Sequence, residues 1–303
     1  MSKSGKKQAP VISIGAFVLA VIVMLASHFS NESNVTEADS TYAISNGDGK
    51  LIVHFIDVGQ GDSEFIELPN GECMLIDASE AEYGDDISEL ISSLGYSKIN
   101  YVVATHPHAD HIGGMAYIID SFDIGEVYMP KVSSNSKTFE NLLDTISDNG
   151  LQISTAEAGE NIYSSSEMKI DFLAPVMAEY DETNDYSAVL KICYGKNSFI
   201  FTGDAEKAAE EDMMTLNYSA LDCDVLKAGH HGSNSSSSMD FLEAVTPDYA
   251  VISCGEGNSY GHPHDEPLKR FAKIGAKVYR TDIEGTITIV CDGNDGFEVK
   301  TEK

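Results

Sequence analysis

Apolar and polar positions alternate in short runs along most of this chain, and the runs predict strands before they predict anything else. Leu51-Ile52-Val53-His54-Phe55-Ile56 predicts the first strand of a folded domain. Ser63 to Leu68 predicts a second, and the turn residues Pro69-Asn70-Gly71 lead from it into Cys73-Met74-Leu75-Ile76, which completes a hairpin. Helical spacing follows from Asp86 to Leu94 and stops at Gly95. Tyr101 to Ala104 predicts a short buried strand, and Gly113-Gly114 allows close approach of a helix from Met115 to Ser121. The second half repeats this grammar. Strands are predicted at Val127–Met129, Met168–Leu173, Ala188–Cys193, Ser198–Thr202, Val225–Lys227, Tyr249–Ser253, Lys277–Tyr279, Thr286–Val290 and Phe297–Val299, with a helix from Ala205 to Leu216. Mixed strands and helices with hairpins at both ends predict an α+β fold. Two sheets lie between helices in a four-layer αββα sandwich, with functional residues on loops at strand ends.

The two ends of the sequence differ in kind. Lys3, Lys6 and Lys7 precede a charge-free run of 17 residues from Val11 to Ser27. A basic start, an apolar run and a polar exit predict a signal anchor or signal peptide over residues 1–28. The absence of a small-x-small cleavage pattern favours the uncleaved anchor, and the lysines on the short side place the remainder outside the cytoplasm. A secreted form is the alternative. Residues 29–49, rich in Ser, Asn, Thr, Glu and Asp, predict a flexible linker, and residues 50–303 the folded domain. The formal charge of -30 argues against a nucleic-acid binder that relies on a basic surface. Five dispersed cysteines without C-x-x-C spacing read as mostly buried thiols.

Candidate chemistry concentrates in His106-Pro107-His108-Ala109-Asp110-His111. Neutral imidazoles and a carboxylate are donors that zinc and similar dications take. His106 and His108 lie two apart on an extended segment and point the same way, while Asp110 and His111 follow at a turn where they can face a second ion. The spacing therefore predicts a two-metal cradle and hydrolysis by an activated water. Competing chemistries lack their signatures. Asp57 to Asp62 is followed by no Gly-Lys-Ser/Thr, and Ser233 to Ser238 contains no Gly-x-Ser-x-Gly elbow.

The cluster with its trailing Gly113-Gly114 resembles the metallo-β-lactamase superfamily. Five further blocks narrow the resemblance to the hydrolase domain attached to ComEC competence proteins: Asp57-Val58-Gly59-Gln60-Gly61-Asp62, Leu75-Ile76-Asp77, Thr202-Gly203-Asp204, Leu226 to Ser233, and Tyr260-Gly261-His262-Pro263-His264 with Arg280-Thr281-Asp282. It covers about residues 50 to 292. It implies that His106 and His108 hold a first metal, that Asp110, His111 and His230 hold a second, and that Asp204 bridges the two. Asp77 is implied as an acceptor for a metal-bound histidine, with an exposed turn as its alternative. Asp57 and Asp62 read equally well as site residues or as acids capping a tight turn. His231, adjacent to His230, would orient a ligand or contact substrate.

The pattern departs at one place. Relatives carry another histidine before the bridging aspartate, whereas this chain has Thr183-Asn184-Asp185-Tyr186-Ser187 and no histidine between His111 and His230. Site one is then completed by Asn184, by Asp185 or by water, and a harder ion such as Mn²⁺ becomes a candidate beside Zn²⁺. The resulting expectation is an exported phosphodiesterase or nuclease with two divalent ions, acting on phosphoesters including extracellular DNA through a hydroxide shared by the ions. Asp110 would serve the reaction as well as the metal, and His262 or His264 would protonate the leaving oxygen. The alternatives are a cell-wall or small-molecule ester hydrolase, and a non-catalytic metal-binding partner of DNA uptake. Protein partners are not legible.

Overall fold

The computed structural model describes residues 49–294 and 296–303. The expected anchor at 1–28, and all of the expected linker but Gly49, lie outside the described residues. Among the described residues no helix is long and apolar enough to cross a membrane.

The chain opens with an antiparallel meander of β1 (Leu51–Phe55), β2 (Glu64–Glu67) and β3 (Cys73–Ile76), as the hairpin pattern predicts. After α1 (Gly84–Ser93) come β4 (Lys98–Val103), α2 (Ala109–Ile112), α3 (Met115–Ser121), β5 (Asp123–Met129), α4 (Lys137–Asp148) and β6 (Ile153–Thr155). The strands β3, β4, β5 and β6 pair in parallel, joined by crossovers. The second half holds β7 (Asn161–Ser164), β8 (Met168–Ala174), β9 (Val189–Tyr194), β10 (Asn197–Phe201), α5 (Lys207–Asn217), β11 (Val225–Lys227), α6 (Met239–Val245), β12 (Tyr249–Ile252), α7 (Asp265–Ile274), β13 (Lys277–Arg280) and α8 (Thr281–Glu284). Finally β14 (Ile287–Cys291) returns to pair with β1, with Leu51 opposite Cys291, and β15 (Glu298–Thr301) forms the edge.

The result is an eight-stranded and a seven-stranded sheet, ordered β15-β14-β1-β2-β3-β4-β5-β6 and β13-β12-β11-β10-β9-β8-β7. Their inner faces meet in one core that includes Val53, Phe55, Ile76 and Val103 from the first sheet and Phe172, Leu190, Phe201 and Val251 from the second. Phe55 and Phe201 stack across this seam with centroids 6.0 Å apart. Each such side chain contributes roughly 1.5–3 kcal/mol by leaving water. The outer face of the first sheet is covered by Ile87, Ile91, Met115, Ile118, Phe139 and Leu142 from α1, α3 and α4. Met213, Phe241, Leu242 and Phe271 from α5, α6 and α7 cover the second. The layers are therefore helix, sheet, sheet, helix, as expected.

The sequence reading left α4, α6 and α7 unassigned, although each carried a signal. Ser136 and Ser238 cap α4 and α6, accepting from the backbone N–H of Phe139 and Phe241, and Gly275 closes α7 in the left-handed region. Four of the five cysteines are buried and all are free thiols, in keeping with the sequence reading. His54 is structural as its strand position implies, its ring bonded to Thr288 and Glu67 at 3.0 and 3.1 Å.

Candidate metal centre

Both sheets deliver side chains to one place, because parallel strands point their carboxyl ends the same way. Beyond β4 come His106, His108, Asp110 and His111; beyond β10 comes Asp204; beyond β11 come His230 and His231. Gly61 and Gly114 permit the loops to converge. A Cβ on Gly61 would stand 2.6 Å from the Asp110 carbonyl oxygen, and one on Gly114 would stand 2.5 Å from that of Ala78.

Asp204 lies at the centre, buried, with imidazoles on both of its oxygens. His111 Nε2 is 3.3 Å and His231 Nε2 3.6 Å from Oδ1, while His230 Nε2 is 3.6 Å and His106 Nε2 3.8 Å from Oδ2. His231 Nε2 is also 3.4 Å from Asp110 Oδ2. His108 Nδ1 stands 2.9 Å from His106 Nε2 on the solvent side. Among the described residues four groupings of donors result: Asp110, His111 and His231; His106, His111 and Asp204; Asp62, Asp77 and His111; and Asp62, Asp204 and His231.

The rings are held from behind. Asp77, with its backbone in the left-handed region, places Oδ2 2.7 Å from His111 Nδ1 and accepts from the Thr105 N–H and hydroxyl at 2.8 and 2.6 Å. Asp77 thus faces the ring that it was expected to orient. Asp62 also borders the cluster. Its Oδ1 is 3.1 Å from His231 Nδ1, which is also 3.1 Å from the Ser253 carbonyl, and its Oδ2 accepts from the buried Lys227 ammonium at 2.7 Å. Asp57 takes the other reading, accepting from Gly59 N and facing Lys303 at 3.0 Å on the surface.

Three further expectations change. Adjacent histidines diverge, and it is His231 that turns inward to Asp110 and His111. His230 lies at the cleft wall, with Nδ1 3.0 Å from Glu206 Oε1 and near Asn184, and only its Nε2 faces the cluster, 3.6 Å from Asp204 Oδ2. Both backbones are left-handed, with φ of 49° and 52°, and this local conformation decides which ring enters the cluster. Asp185 does not replace the missing histidine, because its Oδ1 accepts from the backbone N–H groups of Glu206 and Ala209 at the start of α5. Asn184 does line the cleft, where its Nδ2 donates to Glu206. His264 stands at the N-terminus of α7 with its Nδ1 accepting from Asn234 N, and it is not among the residues that line the cleft. His262 remains at the cleft, edge-on to His230 at 5.5 Å.

The donor set fits a cation. His111 Nε2, His231 Nε2 and Asp204 Oδ1 are buried without hydrogen-bond partners, although they lie close together. Buried polar atoms are rarely left so. Two donors on a tetrahedral ion with bonds of about 2.0–2.1 Å stand about 3.4 Å apart, which matches the separations here. Charge leads to the same conclusion: the carboxylates Asp62, Asp77, Asp110 and Asp204 surround the imidazoles, and the buried ammonium beside them is that of Lys227. Burial opposes a charged His231, yet Asp204 and Asp62 outweigh it and push its pKa up to about 10; Asp204 and Asp77 likewise hold His111 well above the usual imidazole range. Such a site draws in positive charge, as protons or as metal.

The cluster opens into a cleft of about 650 Å³ lined by Gln60, Glu80, Glu82, Tyr83, Tyr260 and His262 in addition to the donor residues. Lys227, Glu206 and Thr105 were not singled out from sequence, although a lone lysine inside the apolar run Val225 to Ala228 is a legible signal for a buried partner.

Comparison with known proteins agrees with this geometry. The chain is 28% identical to ComE operon protein 3 of Bacillus subtilis over 252 residues, 78% of this chain and 32% of that protein. It is 28% identical to Competence protein ComA of Neisseria gonorrhoeae over 231 residues, 76% of this chain and 31% of that protein. The chain thus spans about a third of the length of these relatives. Among solved structures, the CmlA beta-hydroxylase E377D mutant shares the fold with a TM-score of 0.55 at 14% identity, covering 78% of this chain and 53% of that one. Residues 56–256 match the metallo-beta-lactamase superfamily, and with the four-layer fold and the converging donors they establish that this chain belongs to it.

Proposed function

We propose that the chain is a metal-dependent phosphodiesterase with DNA among its substrates, held outside the cytoplasm by its N-terminal segment. The observation that carries the reading is the convergence of the orphaned atoms His111 Nε2, His231 Nε2 and Asp204 Oδ1 at the floor of an open cleft. Asp110, His111, His231 and Asp204 would hold one divalent ion, and His106, His108 and Asp204 the other, with Zn²⁺ or Mn²⁺ suited to such N and O donors. When bound, the ions supply Lewis-acid polarisation of a phosphoryl oxygen and a water nucleophile at neutral pH.

The chain's own residues arrange the rest. Asp77 fixes the tautomer of His111 and the Ser253 carbonyl that of His231, each accepting from Nδ1, with Asp62 beside the latter, so that each Nε2 is free to ligate. His262 presents a buried Nδ1 without a partner at the cleft wall. Burial and the neighbouring His231, His230 and His264 push its pKa down to about 4, so at neutral pH the ring is uncharged and offers a hydrogen bond to a phosphoryl oxygen. A substrate anion beside it works against that shift and favours proton uptake by the ring. The names of the competence relatives support nucleic acid as the substrate class.

The test is hydrolysis of single-stranded DNA and bis-p-nitrophenyl phosphate by the full chain with Mn²⁺ or Zn²⁺, beside Asp204→Ala. Activity that requires metal and disappears in the variant is expected. Equal rates for the two proteins, or no hydrolysis of either phosphodiester, refute the proposal.

A further inference from the structure

The cleft presents a problem for any polyanionic substrate. Phosphate recognition ordinarily draws on lysine and arginine, which supply most of the affinity for a nucleic-acid backbone. Among the described residues the lining contains neither, and it includes the carboxylates Glu80 and Glu82. Around it the chain as a whole carries a formal charge of -30. Beyond the contacts at the scissile phosphate itself, affinity has to come from a part of the substrate that is not charged.

The cleft rim holds a group suited to that. Tyr260 is 65% exposed, far from the burial an aromatic side chain gains in a core. It is nevertheless fixed in place. Its ring stacks on His262 with centroids 5.6 Å apart and planes 21° from parallel. Beneath it Asn258 spends its whole amide on the loop: Oδ1 accepts from the N–H groups of Tyr260 and His262 at 3.1 and 3.0 Å, and Nδ2 donates to the carbonyls of Gly255 and His262 at 2.9 and 2.6 Å. Gln60 Oε1 ties the same loop to the first sheet by accepting from Gly255 N at 3.2 Å. One face of Tyr260 is thus occupied by a cleft histidine. An exposed ring pre-positioned beside a reaction centre loses little freedom when something stacks on it.

Resting on the phosphodiesterase reading, we infer that Tyr260 is a stacking platform for the nucleobase next to the scissile phosphate, so that the substrate is selected by its base and not by its charge. Base–aromatic stacking is worth about 1–3 kcal/mol per base, which is a factor of about 5 to 150 in affinity. It is tolerant of sequence, because every base has a π-face. The acidic pair Glu80 and Glu82 opposes entry of further phosphates, which suits single strands held by few nucleotides and disfavours duplex.

The experiment compares two substrates of equal length and charge, a short oligothymidylate and its abasic tetrahydrofuran analogue, with the full metal-loaded chain and its Tyr260→Ala and Tyr260→Phe variants. Tyr260→Ala is expected to lower kcat/KM on oligothymidylate about 5- to 150-fold, mainly through KM, with the abasic oligomer unaffected. Tyr260→Phe, which keeps the ring, is expected to retain the wild-type preference. An equal loss on both oligomers shows a merely structural role and overturns the inference, as does no loss on oligothymidylate. Failure of the wild-type protein to cleave either oligomer overturns the phosphodiesterase reading as well, a pattern distinct from cleavage without base dependence.

Discussion

Replacing His231 with alanine should weaken metal binding far more than replacing His230, although the two are neighbours. His231 Nε2 is buried 3.4 Å from Asp110 Oδ2 and 3.6 Å from Asp204 Oδ1, the spacing of donors on one ion, whereas His230 Nε2 faces Asp204 Oδ2 alone, at 3.6 Å, from a side chain partly open to the cleft. Metal that binds only the folded chain, at a free concentration of about 1,000 times its Kd, adds about 4.1 kcal/mol of stability. Loss of an outer partner of a metal ligand typically lowers affinity about 10–100-fold, and loss of the ligand itself should do at least as much. A hundredfold loss leaves about 1.4 kcal/mol at the same concentration. For a domain of this size 1 kcal/mol moves Tm by about 2–4 °C, so the metal-dependent rise in Tm should shrink from roughly 8–16 °C to roughly 3–6 °C. The assay is thermal unfolding of each chelator-treated protein with and without Mn²⁺ or Zn²⁺. Taking the difference within each variant cancels any stability lost through the bonds of His231 to Asp62 and Ser253. A His230→Ala protein whose metal-dependent rise shrinks as much as that of His231→Ala refutes the assignment.

Lys227→Met should destabilise the domain by about 3–5 kcal/mol in urea unfolding, because it strands the Asp62 carboxylate without its ammonium. The double variant with Asp62→Asn should recover part of that loss, and no recovery would show that the pair is not the cause. Glu210 gives a pH signature away from the metal centre: burial outweighs the N–H groups of Ser237 and Ser238 and raises its pKa from 4.5 to about 7. The folded chain therefore keeps a proton that the unfolded chain releases, and stability should fall by ~3 kcal/mol as pH rises from 4.5 to about 7. Glu210→Gln should flatten that slope in urea melts at about pH 5 and about pH 7.5, and an unchanged slope would refute the assignment.

The parts of this site that a sequence exposes are those whose geometry is local. The run His106 to His111 declares its chemistry because all its donors fall within one strand end and one helical turn. Asp77 was legible for a related reason, since a carboxylate closing the apolar run Cys73–Ile76 needs a partner. The choice between His230 and His231 was not legible, because it depends on two successive left-handed residues that no periodicity encodes. Asp62 stayed divided between turn and site until Lys227, 165 residues away, was found against it. Asp185 and His264 were misplaced for the converse reason. The Asp185 side chain serves backbone N–H groups at the start of α5, and His264, just ahead of the unassigned α7, accepts from the distant Asn234 N. The fold itself was legible because both sheets write their burial into β-branched runs, whereas α4 and α6 hid behind serine caps that look like loop residues.

Asp204 and His231 come from one sheet, and His106, Asp110 and His111 from the other. The proposed ligand set would therefore also be a clasp between the two halves of the sandwich. Chelation should raise hydrogen exchange and protease cutting at the strand ends of both sheets together, because the same atoms serve reaction and closure. On the proposed reading, a chain deprived of metal would become a substrate for proteolysis. Activity and lifetime would then be governed by one variable, the free metal concentration.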